Sequence, residues 1–348
     1  MTLAQPVSNF ARAPAIADPV LRVEGLRTTL SLKRGAIRAV DDVSFSLGKG
    51  ETLGIVGESG CGKSMTALSI IGLLPRPIGR IEAGAIQLQG VGDLAKLPER
   101  DMKRVRGHHV SMIFQEPMTS LNPVFPIGFQ IDEAIRTHQH VDRREVRRRT
   151  IEMLELVGIP LPEARYHNYP HQMSGGMRQR VMIAMALACK PKVMLADEPT
   201  TALDVTIQAQ ILKLMNRLKD EVGASILLIT HDLGVIAKMA QRVLVMYAGV
   251  VVEESDAINL FARPLHPYTI GLLKSIPRGR PEGERRARLH TIKGVVPSLL
   301  NLPRGCRFSD RCADVHEPCR IAEPPLAPPD SGGDRRVRCW LHHRPQKS

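Results

Sequence analysis

Aromatic side chains are scarce in this 348-residue chain: they make up 3% of it, as seven Phe, four Tyr and one Trp. Single-strand nucleic-acid binders stack bases on aromatic platforms, so this composition is poor material for one. Long apolar runs are missing as well. A membrane-spanning helix needs about 18 consecutive apolar residues, and the longest candidates, Ser225 to Thr230 and Val243 to Tyr247, are strand-sized. The chain is not expected to cross a membrane by itself. Its opening MTLAQPVSNFARAPAIADP has neither a basic n-region nor a continuous apolar h-region, so residues 1–19 read as a disordered cytosolic tail and not as a secretory signal. No internal repeat is visible.

What is present is ordinary globular material. Hydrophobic residues supply 43% and charged residues 24%, which excludes disordered and collagenous classes, and the length suits about two domains. The net charge of +13 could serve nucleic acid, acidic lipid or nucleotide phosphates, but it is concentrated. Residues 278–348 hold 15 basic and 8 acidic side chains. A second basic group, Arg143, Arg144, Arg147, Arg148 and Arg149 with Glu145 interleaved, has helical spacing and reads as a solvated helix face.

Apolar strands alternate with helical patterns: Thr52 to Val56 before a helix from Lys63, Val193 to Ala196 before one through Gln208 to Leu218, Ser225 to Thr230 before Leu233 to Met239. That order predicts an α/β sheet with a substantial parallel part. Leu21 to Leu47, with alternation at Val43-Ser44-Phe45-Ser46-Leu47, predicts antiparallel β at the edge of that core. Past Pro264 the composition shifts to Pro, Arg and Cys, and RGRPEGERRAR reads as a basic linker into a small appended unit.

Gly57-Glu58-Ser59-Gly60-Cys61-Gly62-Lys63-Ser64 follows an apolar strand and opens a helix, the context that a phosphate loop requires. Its glycines let the backbone turn successive N–H groups inward, and the helix N-terminus adds positive potential. Lys63 is expected to reach the β- and γ-phosphates, and Ser64 to hold Mg²⁺ through its hydroxyl. Val193-Met194-Leu195-Ala196-Asp197-Glu198 is an apolar strand ending in two carboxylates. In P-loop enzymes the first supports the metal, here Asp197, and the next can be the general base, here Glu198.

Four further stretches stand in a telling order: Phe114-Gln115-Glu116-Pro117, Ser174-Gly175-Gly176-Met177-Arg178-Gln179-Arg180, Thr201-Ala202-Leu203-Asp204, and Leu227-Leu228-Ile229-Thr230-His231. Together with the phosphate loop and the acidic strand they resemble the ATP-binding cassette (ABC) ATPases, with a Q-loop glutamine, signature, D-loop and switch histidine. The resemblance implies a P-loop fold with a RecA-like mixed sheet core, an antiparallel β edge and a helical signature subdomain. The cassette would span residues 20–255, its helical subdomain about 116–180. It also implies that two cassettes pair head to tail, so that Ser174, Gly175 and Gly176 of one protomer, with Asp204 nearby, meet the ATP held by the other. Gln115 would touch Mg²⁺ or the attacking water alongside Ser64 and Asp197, and His231 would contact the γ-phosphate. Two departures stand out: Met177 replaces the signature's usual final Gln, and Leu30 stands where an aromatic normally stacks on adenine.

Met118-Thr119-Ser120-Leu121-Asn122-Pro123, His266-Pro267-Tyr268-Thr269, Gly294-Val295-Val296-Pro297-Ser298-Leu299 and Leu302-Pro303-Arg304-Gly305-Cys306 resemble the ATP-binding subunits of oligopeptide/dipeptide (peptide/nickel) permeases, the last three their C-terminal extension, here residues 256–348. That likeness implies an ATPase powering import of peptides or a related solute. It would work peripherally at the cytoplasmic face of a bacterial inner membrane, with two transmembrane permease subunits, a second cassette (itself or a similar subunit) and, indirectly, a solute-binding protein. No nucleic-acid partner is expected. The alternative is a soluble ABC ATPase acting on nucleic acid or ribosomes, supported by the charge; a P-loop kinase or GTPase is opposed by the signature at Ser174.

Four of six cysteines, Cys306, Cys312, Cys319 and Cys339, fall in the last 43 residues. Disulfides are disfavoured in the cytosol, so clustered thiols point to a metal. Thiolates suit tetrahedral Zn²⁺ or an iron–sulfur cluster. The wide C-x5-C-x6-C-x19-C spacing lacks the knuckles of zinc ribbons and favours [4Fe-4S], with zinc and free thiols as the other readings. Cys61 and Cys189 read as packing residues.

Overall fold

A computed structural model of the chain describes residues 16–115, 120–201, 203–276 and 291–343. The expected tail up to residue 15, Glu116 to Thr119, Ala202 and the basic linker lie outside the described residues.

The N-terminal stretch forms the expected antiparallel layer. β1 (Leu21–Leu32) and β2 (Gly35–Leu47) make a hairpin. After β3 (Thr52–Val56) and helix α1 (Lys63–Ile71), strands β4 (Gly79–Leu88) and β5 (Gly92–Asp93) complete a sheet in the order β2-β1-β4-β5. Leu30 pairs within this layer, across from Ile37 and Gly79.

The main sheet is built from β3, β6 (Val110–Ile113), β7 (Val193–Asp197), β8 (Ser225–Ile229), β9 (Arg242–Tyr247), β10 (Val250–Asp256) and β11 (Arg336–Val337). Its order is β11-β10-β9-β3-β8-β7-β6. The run from β9 to β6 is parallel, and β10 and β11 are antiparallel. Because side chains alternate across a strand, β8 sends Ile226 and Leu228 into one core and Leu227 and Ile229 into the other. β7 divides in the same way, with Met194 and Ala196 against Val193 and Leu195. Burial on both faces is why these strands read as uninterrupted apolar runs.

Between β6 and β7 lie α2 (Ile127–His138), α3 (Arg143–Leu156) and α4 (Gly175–Leu187). Polar residues start the last two: Asp142 accepts from the Glu145 N–H at 2.9 Å, and Ser174 Oγ from the Met177 N–H at 3.3 Å. The arginine-rich face is the solvated one expected, with Arg148 paired to Glu145 and Glu152 and Arg149 to Glu145. Further along the chain, α5 (Val205–Val222) and α6 (Leu233–Met239) begin at Asp204 and Asp232, whose carboxylates accept two backbone N–H groups each, and they share one core with the preceding helices.

The C-terminal extension is integrated with the cassette. Helix α7 (Pro267–Lys274) follows β10 closely, and β11 pairs with β10 at the sheet edge. The buried Glu253 carboxylate of β10 accepts the Leu265 and His266 N–H groups, both at 2.9 Å, and Glu254 is paired with Arg336 of β11. Phe308 sits in the same core as the helical region and one face of the main sheet.

Candidate functional site

Parallel strands point their C-terminal ends the same way, and ligand sites of α/β sheets lie there. The loop after β3, Asp197 and Glu198 at the end of β7, His231 just past β8, and Gln115 just past β6 therefore gather on one rim.

The phosphate loop is held from behind. A Cβ at Gly57 would stand 2.2 Å from the Met246 carbonyl oxygen, and one at Gly62, where φ is +103°, would stand 2.3 Å from that of Ala39. Both positions exclude a side chain by contact, and Gly62 also by its left-handed backbone. Lys63 folds back over the loop, donating to the carbonyls of Gly57 at 2.8 Å and Glu58 at 3.0 Å. Cys61 is buried, its thiol pushed up by that burial against the opposing pull of Lys63. Cys189 is buried too.

Glu198 is the centre of the carboxylate side. Its backbone adopts φ +48° and its N–H donates to the Ile229 carbonyl at 2.8 Å, a costly conformation for a residue with a side chain. That turn lifts the carboxylate to where His231 Nδ1 meets Oε1 at 2.9 Å, Gln115 Nε2 donates to Oε2 at 3.2 Å, and Thr201 Oγ1 donates to Oε2 at 2.8 Å. Burial works against its charge, but the hydrogen bonds from His231 and Thr201 prevail and hold the carboxyl below its ordinary value.

Asp197 behaves differently. It is buried, and burial pushes its carboxyl up, opposed by a hydrogen bond from Ser64 and the charge of Lys63 and reinforced by the charge of Glu198. Among the described residues, its Oδ1 has no hydrogen-bond partner. An orphaned carboxylate oxygen close to the Ser64 hydroxyl is a donor set that suits a hard divalent cation.

The signature stretch lies at the start of α4. Ser174 is its N-cap, and Gln179, fully buried, donates its amide to the Pro199 carbonyl just beyond the acidic pair. Asp204 spends one carboxylate oxygen on the Thr206 and Ile207 N–H groups, so its local task is to start α5. The expected N–H array differs at Glu58, whose N–H donates to the Tyr268 hydroxyl at 2.8 Å and whose carboxylate meets Arg311. Nothing in the sequence marks Tyr268 or Arg311 as part of this site: Arg311 is one of many arginines in its segment, and only the fold brings it to the loop.

The four C-terminal cysteines do meet. Cys306, Cys312, Cys319 and Cys339 line one small pocket with His266, Phe308 and Trp340. Burial pushes the Cys306 thiol up to about 11 and that of Cys339 to about 12, the other thiols adding to both. His316 Nδ1 lies 3.4 Å from Cys319 Sγ. Among the described residues, however, no three His, Cys, Asp or Glu side chains are arranged so as to hold a metal ion.

Comparison with known proteins adds two matching family models: the ABC transporter model over residues 40–201, and the oligopeptide/dipeptide transporter C-terminal region over residues 252–319. A putative peptide import ATP-binding protein of Brucella abortus is 52% identical over 330 residues, 93% of this chain and 98% of that protein. An oligopeptide transport ATP-binding protein of Bacillus subtilis is 52% identical over 323 residues, 93% of this chain and 97% of that one. Among solved structures, a dimeric ATP-binding cassette in a post-hydrolysis state with ADP and Pi is similar at TM-score 0.61 and 27% identity, over 68% of this chain and 98% of that one.

Proposed function

Because the chain belongs to the ATP-binding subunits of ABC peptide importers, we propose that its rim of strand ends binds and hydrolyses MgATP to drive peptide import through a permease at the membrane. The chain is the ATPase subunit of that transporter. The catalytic part of this reading is carried by the convergence of Gln115, Thr201 and His231 on the Glu198 carboxylate.

Each residue has a task set by its place. The loop from Gly57 to Ser64 cradles the phosphates, and Lys63 exchanges the carbonyls it now caps for β- and γ-phosphate oxygens. Ser64, Asp197 and Gln115 would hold Mg²⁺, which when bound neutralises phosphate charge; the unpartnered Asp197 Oδ1 is the oxygen placed to serve it. Glu198, kept ionised by its donors, takes a proton from the attacking water, and His231 orients that carboxylate and contacts the γ-phosphate. Ser174, Gly175 and Gly176, at the start of α4, and the D-loop about Asp204 would face the ATP of a second cassette, pairing for which the dimeric state of the similar solved cassette is support. The extension over residues 256–348 would be the part that distinguishes this subfamily, and the cassette with its helical insert the part shared by all.

No helix among the described residues is long and apolar enough to cross a membrane, so the permeases must supply the pore. In this reading the chain sits at the cytoplasmic face of a bacterial inner membrane. On the helical region, Phe125 and Phe129 are exposed and stacked with centroids 4.9 Å apart, apolar material suited to a permease segment. Affinity purification of the tagged chain from detergent-solubilised native membranes should recover two multi-span permeases, with or without a second cassette. Recovery of ribosomal or nucleic-acid proteins without any permease would favour the soluble alternative.

The cysteine pocket would hold a [4Fe-4S] cluster, with Cys306, Cys312, Cys319 and Cys339 as ligands. Four thiols are the donor type that such a cluster takes, one to each iron, and they line one small pocket; because no three of them close round a single ion among the described residues, they would have to rearrange about the cluster to ligate it. A bound cluster would supply a structural staple or redox sensitivity, and ATP hydrolysis proceeds without it taking part. Protein purified without oxygen should carry about four iron and four acid-labile sulfide per chain and absorb broadly in the visible. Stoichiometric zinc without iron would replace the cluster by a zinc site, and neither metal would leave free thiols.

A further inference from the structure

The only acidic side chain of the phosphate loop, Glu58, lies where a second negative charge is least welcome, beside the position of a triphosphate. It is only partly buried, with 29% of its side chain exposed, so water alone does not silence it. Arg311 does: Nη1 and Nη2 donate to Oε2 and Oε1 at 2.6 and 3.0 Å, a two-point fork. The arginine itself is deeply buried, with 4% of its side chain exposed. Its Nε donates to the Lys293 carbonyl at 3.0 Å, and its guanidinium carbon lies 5.7 Å from the Tyr247 ring centroid and 5.9 Å from that of Phe308.

The surroundings fix that arginine to the loop's own foundation. Tyr268, whose hydroxyl accepts the Glu58 N–H, packs on Tyr247 and Phe308 with centroids 4.7 and 5.4 Å apart. Upstream of Arg311 in the same segment, Arg307 donates to the Ala248 carbonyl at 2.7 Å and pairs with Asp41 at 2.5 Å. Next to Ala248, Gly249 donates its N–H to the Cys61 carbonyl of the loop at 3.0 Å. The remote segment thus holds the phosphate loop through the Arg311 side chain, while Arg307 braces the β9–β10 turn whose Gly249 N–H bonds the loop backbone.

We infer that Arg311 is a positioning residue for ATP binding, acting through Glu58: it neutralises and orients that carboxylate so that the phosphate loop presents a net positive face. The inference rests on the phosphate-binding role proposed for the loop. Without Arg311, a carboxylate stays beside the incoming triphosphate and repels it, which raises KM and leaves the chemistry of Glu198 untouched. The same loss costs nothing once Glu58 has no charge.

The test is a double-mutant cycle on MgATP turnover and nucleotide binding in the full chain. Arg311→Ala should raise KM by about tenfold with kcat changed less than about twofold, a coupling of ordinary size for a contacting pair. Placed on Glu58→Gln, it should raise KM by no more than about twofold over Glu58→Gln alone. Arg311→Lys, which keeps the charge and the stem but not the fork, should lie between, and it carries the same comparison if the alanine variant does not fold. Equal rises in both backgrounds, or none in either, overturn the inference, because a merely structural arginine would act regardless of Glu58. Absence of MgATP binding in the unaltered chain would instead refute the phosphate-binding role of the loop, so the two failures are distinguishable.

Discussion

Glu198→Gln should lower ATP turnover by about 10²- to 10⁴-fold, the range that a positioned general base contributes, while leaving MgATP affinity close to that of the unaltered chain. The reason lies in how the site divides its work. The groups expected to hold phosphate, Lys63 and the loop N–H array, belong to β3 and α1, whereas Glu198 is anchored on β7 and touches Gln115, Thr201 and His231. Glutamine is nearly isosteric and its amide can still meet those neighbours, but it has no lone pair basic enough to accept a proton from water. ATP therefore stays bound, and where bound ATP joins two cassettes the variant should accumulate as an ATP-dependent dimer. Single-turnover kinetics and size-exclusion chromatography with MgATP check both halves. Unchanged turnover would place the base elsewhere, and weakened binding would mean that Glu198 holds the nucleotide and not the water.

The positive φ at Glu198 explains why that substitution should be clean. The backbone is already committed by the Glu198 N–H bond to Ile229 and the Thr201 N–H bond to the Glu198 carbonyl, so the side-chain amide changes chemistry without moving the turn. A β-branched residue there would compound the two effects by resisting the left-handed conformation.

Much of this arrangement is legible in the sequence because it is local. A glycine pattern between a strand and a helix, and two carboxylates ending an apolar strand, carry their geometry in consecutive residues. The helix Leu233–Met239 coincides with the interval its pattern predicts, since Asp232 precedes it and apolar positions repeat within it. The parallel order of β6 to β9 follows from alternation of strands with helices. Features that depend on distant pairing are the ones that escape. Nothing in the residues around Arg311 says that it will face Glu58, 253 positions earlier, nor that β11 will close the edge of the sheet beside β10. The four cysteines stand out as a group in the sequence, but their spacing does not specify how closely the fold gathers them. They line one pocket, yet among the described residues no three of them close into the ligand shell of a single ion.

Lys63→Ala should weaken MgATP binding by about 10²- to 10³-fold, as expected when one partner of a buried, charge-assisted contact is removed and the other is left uncompensated. Lys63 is buried, with 6% of its surface exposed, and its ammonium already sits among loop carbonyls at 2.8 and 3.0 Å. Those carbonyls hold the cation in place before ligand arrives, so little ordering is needed when phosphate oxygens take over. Alanine removes the charge and leaves the Gly57 carbonyl without this donor, so the empty loop itself should be less well set. Arginine would keep the charge, but its guanidinium is too broad for a pocket where Cys61 Sγ lies 3.8 Å from Nζ, and Lys63→Arg should recover only a small part of the loss. Fluorescent-nucleotide titration of both variants decides the matter. Wild-type affinity in Lys63→Ala would remove this lysine from the nucleotide site, whereas full rescue by arginine would show that charge alone, and not the fit of a compact ammonium within the loop, fixes the phosphates.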